Sequence, residues 1–237
     1  MKILAIDTST LVAAVAVMED DKLLGEYLLN HKKTHSQKLM PMIKELLHEL
    51  ELKPNDIDMF AASSGPGSFT GLRIGVTTVK AMGYATSKPV VAVPTLDVIA
   101  YNILMGSYIV CPIMDARNNQ VYTGLYEWNY NNNVLERVSD YLALPINELV
   151  DIIRQRGKKV VFAGDGVDIH QEYLKNELQD KCDFAPGNMR LQRASTTAHI
   201  AYMKFKKGDI DSSFEMTPFY LRKSQAERQY EKKTTGT

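Results

Sequence analysis

The chain is 237 residues long, and its 28 Lys and Arg balance its 28 Asp and Glu, so the formal net charge at neutral pH is zero. The length suits one large domain or two modest ones, and 45% hydrophobic with 24% charged residues argues against wholesale disorder. The balance also disfavours a stand-alone nucleic-acid binder, which needs surplus positive charge to displace counterions from phosphates.

In chain order, the first thirty residues read as a β-meander: Ile3 to Ile6, Leu11 to Met18, a turn at Glu19 to Lys22, and Leu23 to Asn30. Leu39, Ile43, Leu46 and Leu50 then recur at helical spacing, predicting a helix from His35 to Leu52 that stops at Lys53-Pro54-Asn55. A strand from Ile57 to Ser63, the loop Ser64-Gly65-Pro66-Gly67-Ser68, and a helix from Phe69 to Ser87 follow. Next come a strand from Pro89 to Val93 and a helix from Thr95 to about Met105. This is the order of a ribonuclease H-like unit. After Gly106 a similar order begins again: strands at Tyr108 to Met114, Val121 to Trp128 and near Val134, then a helix at Pro145 to Gln155. A strand at Lys159 to Ala163 precedes helices at Asp168 to Leu178 and Ser195 to Lys206. The expected division is an N-terminal lobe of residues 1–106, a C-terminal lobe of 107–222, and a frayed tail over 223–237.

Cys111 and Cys182 make no disulfide framework and have no metal spacing, so both are expected reduced. Asp7 stands too early for a signal-peptide core, and no run of about 18 apolar residues exists to span a membrane. A soluble, cytoplasmic protein is expected.

Two segments carry possible chemistry. Asp7-Thr8-Ser9 ends the first strand, where a carboxylate can hold metal-nucleotide and the following turn can cradle phosphate. The turn has no glycine until Gly25, which favours a polar strand end bonded to its own backbone. Ser64 to Gly75 runs from a strand through a glycine loop into a helix, where backbone N–H groups and the helix dipole can bind an anion. No Gly-Lys-Ser/Thr closes it, so it is not a Walker loop. A tight turn that lets the helix pack closely on the sheet fits equally well. An autonomous nucleotide-binding ATPase or kinase-like enzyme using Asp7, Gly65 and Gly67 is the alternative these segments keep open.

The two helices of the first lobe carry more apolar surface than a half-exposed helix needs. Between Phe69 and Ser87 only Arg73 and Lys80 are charged. In the preceding helix Leu39, Met40, Met42, Ile43, Leu46, Leu47 and Leu50 cover an arc of about 160°, against a roughly 100° stripe for a surface helix. A protein–protein interface is one outlet, and cover from the second lobe or the tail is the other. On the first reading the interface residues are Leu39, Met42, Ile43, Leu46, Leu50, Leu72, Gly75, Val76, Val79 and Met82, with Gly71 and Gly75 allowing close helix approach. His31 and His35 flank the strand-to-helix junction and read as a solvated pair, because no Cys or His cluster completes a zinc site. His48, His170 and His199 are isolated, Gly164-Asp165-Gly166 reads as a helix-capping loop, and no histidine spacing supports Ser63, Ser64 or Ser68 as a nucleophile.

Taken together, Met1 to Ser9, His35-Ser36-Gln37 and Gly65-Pro66-Gly67-Ser68-Phe69-Thr70-Gly71-Leu72-Arg73-Ile74-Gly75 resemble the bacterial TsaB (YeaZ) family. Pro218-Phe219-Tyr220-Leu221-Arg222 and Gln225-Ala226-Glu227 are similar to that family's C-terminal signature. The resemblance implies an α/β fold of two ribonuclease H-like lobes in the actin-like ATPase (ASKHA) superfamily. It also implies a role in forming N6-threonylcarbamoyladenosine (t6A) at adenosine 37 of tRNAs that read codons starting with A. In that system TsaD transfers the threonylcarbamoyl group, a TsaB-like subunit pairs with TsaD through its two helices, and the ATPase TsaE joins them. A homodimer through the same surface is expected where TsaD is absent. Aligned on the strand Pro89 to Val93, the His-x-x-x-His metal ligands of TsaD fall on Thr95 and Ile99, and Ile cannot coordinate a metal. The implied subunit has no catalytic and no metal-binding residues of its own. ATP, Mg and metal would be supplied through partner subunits, Asp7, Gly65 and Gly67 at most touching a nucleotide at the junction, and tRNA would be contacted only indirectly.

Overall fold

The computed structural model describes residues 1–31, 35–104 and 106–222. The tail expected to fray over 223–237 lies outside the described residues. Strands β1 (Lys2–Asp7), β2 (Val12–Glu19) and β3 (Lys22–Asn30) form the meander, followed by α1 (His35–Glu49), β4 (Met59–Gly65), α2 (Phe69–Thr86), β5 (Val90–Pro94) and α3 (Thr95–Tyr101). They build a sheet ordered β3-β2-β1-β4-β5, antiparallel across the meander and parallel from β1 through β4 to β5. The chain continues through β6 (Ile109–Asp115), β7 (Gln120–Thr123), β8 (Tyr126–Asn129), β9 (Val134–Arg137) and β10 (Leu142–Pro145). Then come α4 (Ile146–Arg156), β11 (Val160–Ala163), α5 (Val167–Leu178), β12 (Cys182–Phe184) and α6 (Ala194–Lys206). The second sheet has seven strands; its path β10-β7-β6-β11-β12 repeats the order of the first, antiparallel on one side of β6 and parallel on the other, and β8, paired with β6 and β9, is added off that path.

Three local boundaries differ from the periodicity. The single strand expected over Val121 to Trp128 breaks at Gly124, so β7 pairs with the far end of β6 and β8 meets it at Val110. Strands β10 and β12 are too short to show a period of two. Helix α3 stops at Tyr101, and Asn102 and Ile103 bond back to Ile99 and Ala100 as a turn.

Both faces of the first sheet are covered, which is why β1 and β2 read as continuous apolar runs rather than alternating ones. On one face Leu4, Ile6, Val15, Val17 and Phe60 pack against Leu39, Ile43 and Leu46 of α1 and Val76 and Val79 of α2. On the other face Ile3, Ala5, Met59, Val91 and Val93 pack against Val98 of α3 and Ala198, Ile200 and Ala201 of α6. Full burial of each large aliphatic side chain contributes about 1.5–3 kcal/mol. Helix α3 lies between the sheets, with Leu96, Ile99 and Ala100 against Val110, Met114 and Tyr126. Helices α4 and α5 cover the remaining face through Leu149, Ile153 and Leu174.

The expected C-terminal lobe of 107–222 needs correction. Helix α6 belongs by packing to the first sheet, because seven-residue α3 cannot cover that face and the alanines of α6 allow a close approach. The chain then returns along α2. Asp211 bridges Val90, Lys80 Nζ donates to the carbonyl oxygens of Phe214 and Met216 at 3.1 and 2.8 Å, and Tyr220 stacks on Phe69 with centroids 4.4 Å apart.

The surplus apolar surface of α1 and α2 is largely taken up inside the chain, which corrects the side chains named for a partner interface. Leu39, Ile43, Leu46, Leu72, Gly75, Val76 and Val79 are buried, and Met42, Leu50 and Met82 are half-buried against the same core. The physical reason is that α1 spans the outer strands of the meander while α2 is held between the sheet, α1 and the returning segment. Cys111 and Cys182 are free, buried thiols, and burial pushes Cys111 up to about 12. Among the described residues no helix is long and apolar enough to cross a membrane.

Candidate functional site

The first strand ends on Asp7, which is 0% exposed. Its Oδ1 accepts from the Ser9 amide at 2.9 Å and from Ser9 Oγ at 2.7 Å, and its Oδ2 accepts from Ser63 Oγ of β4. Thr197 Oγ1 of α6 lies 3.2 Å behind Ser63 Oγ. Burial raises the Asp7 carboxyl above the ordinary aspartate range, and the bonds from Ser63 and Ser9 oppose that rise. The Ser9 bond is a short Asx-type turn, the local chemistry anticipated for a polar strand end.

The glycine segment closes over this turn. Ser68 N donates to the Ser9 carbonyl at 2.7 Å, and Thr8 Oγ1 donates to the Gly71 carbonyl at 2.7 Å. A Cβ on Gly67 would stand 2.3 Å from the Ser9 carbonyl oxygen, one on Gly71 2.0 Å from that of Thr8, and one on Gly75 2.5 Å from Thr8 Oγ1. Gly65, at φ +127°, sits where a Cβ would meet the Phe219 carbonyl oxygen at 2.2 Å, and Phe219 N donates to the Ser64 carbonyl. The glycines thus serve close approach of chain to chain, the second of the two meanings open from the sequence. Ser68 caps α2 by accepting from Gly71 N at 3.3 Å.

The remaining walls come from distant residues. His35 is not a solvated partner of His31: at the start of α1 its Nε2 donates to the Thr10 carbonyl at 2.7 Å. Gln192 Nε2 donates to Thr10 Oγ1. His35 Nδ1 and Gln192 Oε1 are buried without a hydrogen-bond partner among the described residues. Of the residues considered for nucleotide contact, Asp7 therefore faces internal donors, Gly67 faces Ser9, and Gly65 faces Phe219. Gln192 and Thr197 carry no signal in the sequence, Ser63 stands out there only as an unsupported nucleophile, and Phe219 falls within the C-terminal segment noted there.

The end of β6 is the topological counterpart. Asp115 is exposed there, its Oδ1 accepting from Arg117 N at 2.7 Å, while its own amide donates to Asp165 at 3.2 Å. Burial, with Asp115 as a like-charged neighbour opposing the backbone bond, raises Asp165 to about 6. Gly164 and Gly166 cross the Ile113 carbonyl, with Cβ positions 2.2 and 2.9 Å from its oxygen. His170 is buried and held below its ordinary value by desolvation, with Nε2 unpartnered among the described residues. Thr95 and Ile99, at the positions aligned with metal-binding histidines, are both fully buried in the core. Among the described residues no group of three or more His, Cys, Asp or Glu is placed to hold a metal ion.

The family model described as "TsaD: tRNA N6-adenosine threonylcarbamoyltransferase" matches residues 22–230. The "tRNA threonylcarbamoyladenosine biosynthesis protein TsaB" of Bacillus subtilis (strain 168) is 32% identical, over 97% of this chain and 98% of its own length. The protein of that name from Escherichia coli (strain K12) is 28% identical over 95% of this chain and 96% of its own. Among solved structures, YeaZ from Pseudomonas aeruginosa is similar with a TM-score of 0.72 at 25% identity, covering 92% of this chain and 100% of that one. A second structure from Pseudomonas aeruginosa, an uncharacterized protein with similarity to peptidase YEAZ, reaches 0.77 at 26% identity, covering 93% of this chain and 99% of that one. The ethanolamine utilization protein EutJ of Carboxydothermus hydrogenoformans, at 0.54 and 9% identity over 84% of this chain and 90% of that one, shares the fold alone. With its doubled ribonuclease H-like sheet, the actin-like ATPase fold and a relative matching along nearly its whole length, the chain belongs to the TsaB (YeaZ) family.

Proposed function

We propose that the chain acts in the cytoplasm as a non-catalytic subunit in t6A biosynthesis, pairing with and activating TsaD, with TsaE joining the pair. The observation that carries this reading is the filled turn after β1. Asp7, the carboxylate at the end of β1 that could hold metal-nucleotide, is turned onto Ser9 and Ser63, and the glycine loop lies against Ser9 rather than open to an anion. Nucleotide and metal chemistry then rest with TsaD, and tRNA is met only through the partners. The names of the curated relatives support the pathway.

Pairing uses the outward faces of α1 and α2. Met40 at 53% exposure, Lys44 and His48 project from α1, and Thr77, Ala81 and Tyr84 at 67% exposure project from α2. The small, uncharged Thr77 and Ala81 let another helix approach closely, and Tyr84 is an aromatic anchor of the kind that dominates interfaces. The same surface pairs two copies of this chain when TsaD is absent.

The test is reconstitution of TsaD, TsaE, threonylcarbamoyl-AMP and tRNA with and without this chain, reading t6A formed per tRNA. Formation only in its presence is expected, together with loss of TsaD co-purification for Met40→Glu combined with Tyr84→Glu and an unchanged melting temperature. Equal t6A without the chain, or robust ATP turnover by the isolated chain, overturns the reading.

A further inference from the structure

A pocket of about 440 Å³ opens between α3, α6 and the β8–β9 hairpin. It lies on the face of the first sheet covered by α6, opposite α1 and α2. Its walls include Tyr101, Leu135, Ile200 and Met203. Asp97 and the buried Tyr126 stand at its inner end. Arg137, Lys204, Lys206 and Lys207 also line it, the last two exposed at its mouth. Four cations against one carboxylate is a sharp local bias in a chain of zero net charge. Lys204 pairs with Asp209 at 3.1 Å and Lys206 lies 4.1 Å over the Tyr202 ring, whereas Lys207 has no acidic group within ion-pair distance among the described residues.

The inner end is equally specific. Tyr126 Oη and Tyr141 Oη both donate to the same oxygen, Asp97 Oδ1, at 2.7 and 2.8 Å. Arg137 lies 4.0 Å over the Tyr141 ring, which fixes that hydroxyl. Asp97 Oδ2 has no donor among the described residues and is not sealed from solvent. A ligand that fits must carry an anion at one end, a flat apolar body, and a hydrogen-bond donor at the other end. Inorganic phosphate and sugar phosphates lack the body, and fatty acids lack the donor. Pockets of this size usually hold small molecules, with a few polar groups setting orientation.

We propose that this pocket binds a nucleoside monophosphate whose ring carries an exocyclic amine. The amine of AMP or CMP donates to Asp97 Oδ2, the ring packs between Tyr101, Leu135 and Met203, and the phosphate sits between Lys204 and Lys207. CMP and UMP make a matched pair, because the amine of cytosine is replaced by a carbonyl acceptor in uracil.

The test titrates the full chain with CMP, UMP and AMP by calorimetry, and by the fluorescence of Trp128. Trp128 is the sole tryptophan, its ring centroid 5.5 Å from that of Tyr101. Saturable binding of CMP and AMP is expected, with UMP weaker by about tenfold or more. Lys207→Glu should weaken all three by about tenfold, and Asp97→Asn, whose amide can donate where Oδ2 accepted, should level or invert the CMP–UMP preference. Lys207 is exposed, so its variant keeps the test independent of any folding defect in Asp97→Asn. No saturable binding of CMP or AMP at millimolar concentration, equal affinities for CMP and UMP, or binding unmoved by Lys207→Glu overturns the proposal. Because the pocket and the α1–α2 surface lie on opposite faces, loss of TsaD pairing and loss of ligand are read separately.

Discussion

The turns after β1 and β6 occupy the same place in two copies of one sheet, yet one is sealed and the other open. The Asp7 turn is enclosed by Ser63 and Ser68, by His35 and by Gln192, drawn from three separated parts of the chain. Asp115 bonds within its own turn, and Arg117, Asn118 and Asn119 lead into β7 with positive φ at an exposed tip. Both turns are crossed by glycines, but in the first lobe these open an eighteen-residue helix that lies across the turn. In the second, Asp165 and Asp168 stand at the corresponding junction, and acidic groups there repel rather than recruit a phosphate. Repeated topology therefore fixes where a site can be, while glycine placement and distant side chains decide whether it is filled.

This contrast can be broken at its strongest points first. Gly71→Ala and Gly164→Ala each drive a Cβ into a backbone oxygen, of Thr8 and Ile113 respectively, and each is expected to cost about 3 kcal/mol or more in urea unfolding. A tolerated Gly71→Ala would mean that α2 does not clamp the first turn. Leu46→Glu buries a charge in the core and is expected to unfold the lobe, whereas Met40→Glu, one face away, is expected to change stability by less than about 0.5 kcal/mol. Circular dichroism melts of the two variants separate inward from outward residues on α1.

The carboxylates set a subtler test. A raised aspartate holds its proton more tightly in the folded than in the unfolded chain, so folding is favoured below the ordinary value and loses stability as pH rises through the raised one. For Asp165 that window runs from about 3.8 to about 6. Asp165→Asn should flatten the decline there, by about 1 kcal/mol after solvent screening. Asp7→Asn should remove a decline of the same sign that begins at the ordinary aspartate value, seen as a stability gain at pH 7 relative to pH 4. The smallest effect belongs to Gly157→Ala at the end of α4, where φ is +65° and no atom lies near the new Cβ, costing about 1 kcal/mol.

Much of this was legible in the residues. The meander and the main helices follow from apolar runs and helical spacing because each is long enough to show its period. The direction of α1 and α2 was not legible. Periodicity finds a stripe on a helix, but Leu39, Ile43, Leu46 and Val79 would look the same facing a partner or their own sheet. Asp7 and the glycine segment stood out by chemistry, but that Gly71 would lie on Thr8 depends on a contact 63 residues apart in sequence. Thr197 and Gln192 reach the same turn from the last quarter of the chain with no local pattern at all.

The return of α6 to the first sheet sets an order of events during synthesis. Ile3, Ala5 and Met59 wait for Ala198, Ile200 and Ala201 before that face of the sheet is covered. A chain released or cut after residue 106 would leave α3 alone on that face, exposing part of it to another strand or helix. A helix made late is thus the one that protects the sheet made first from aggregation.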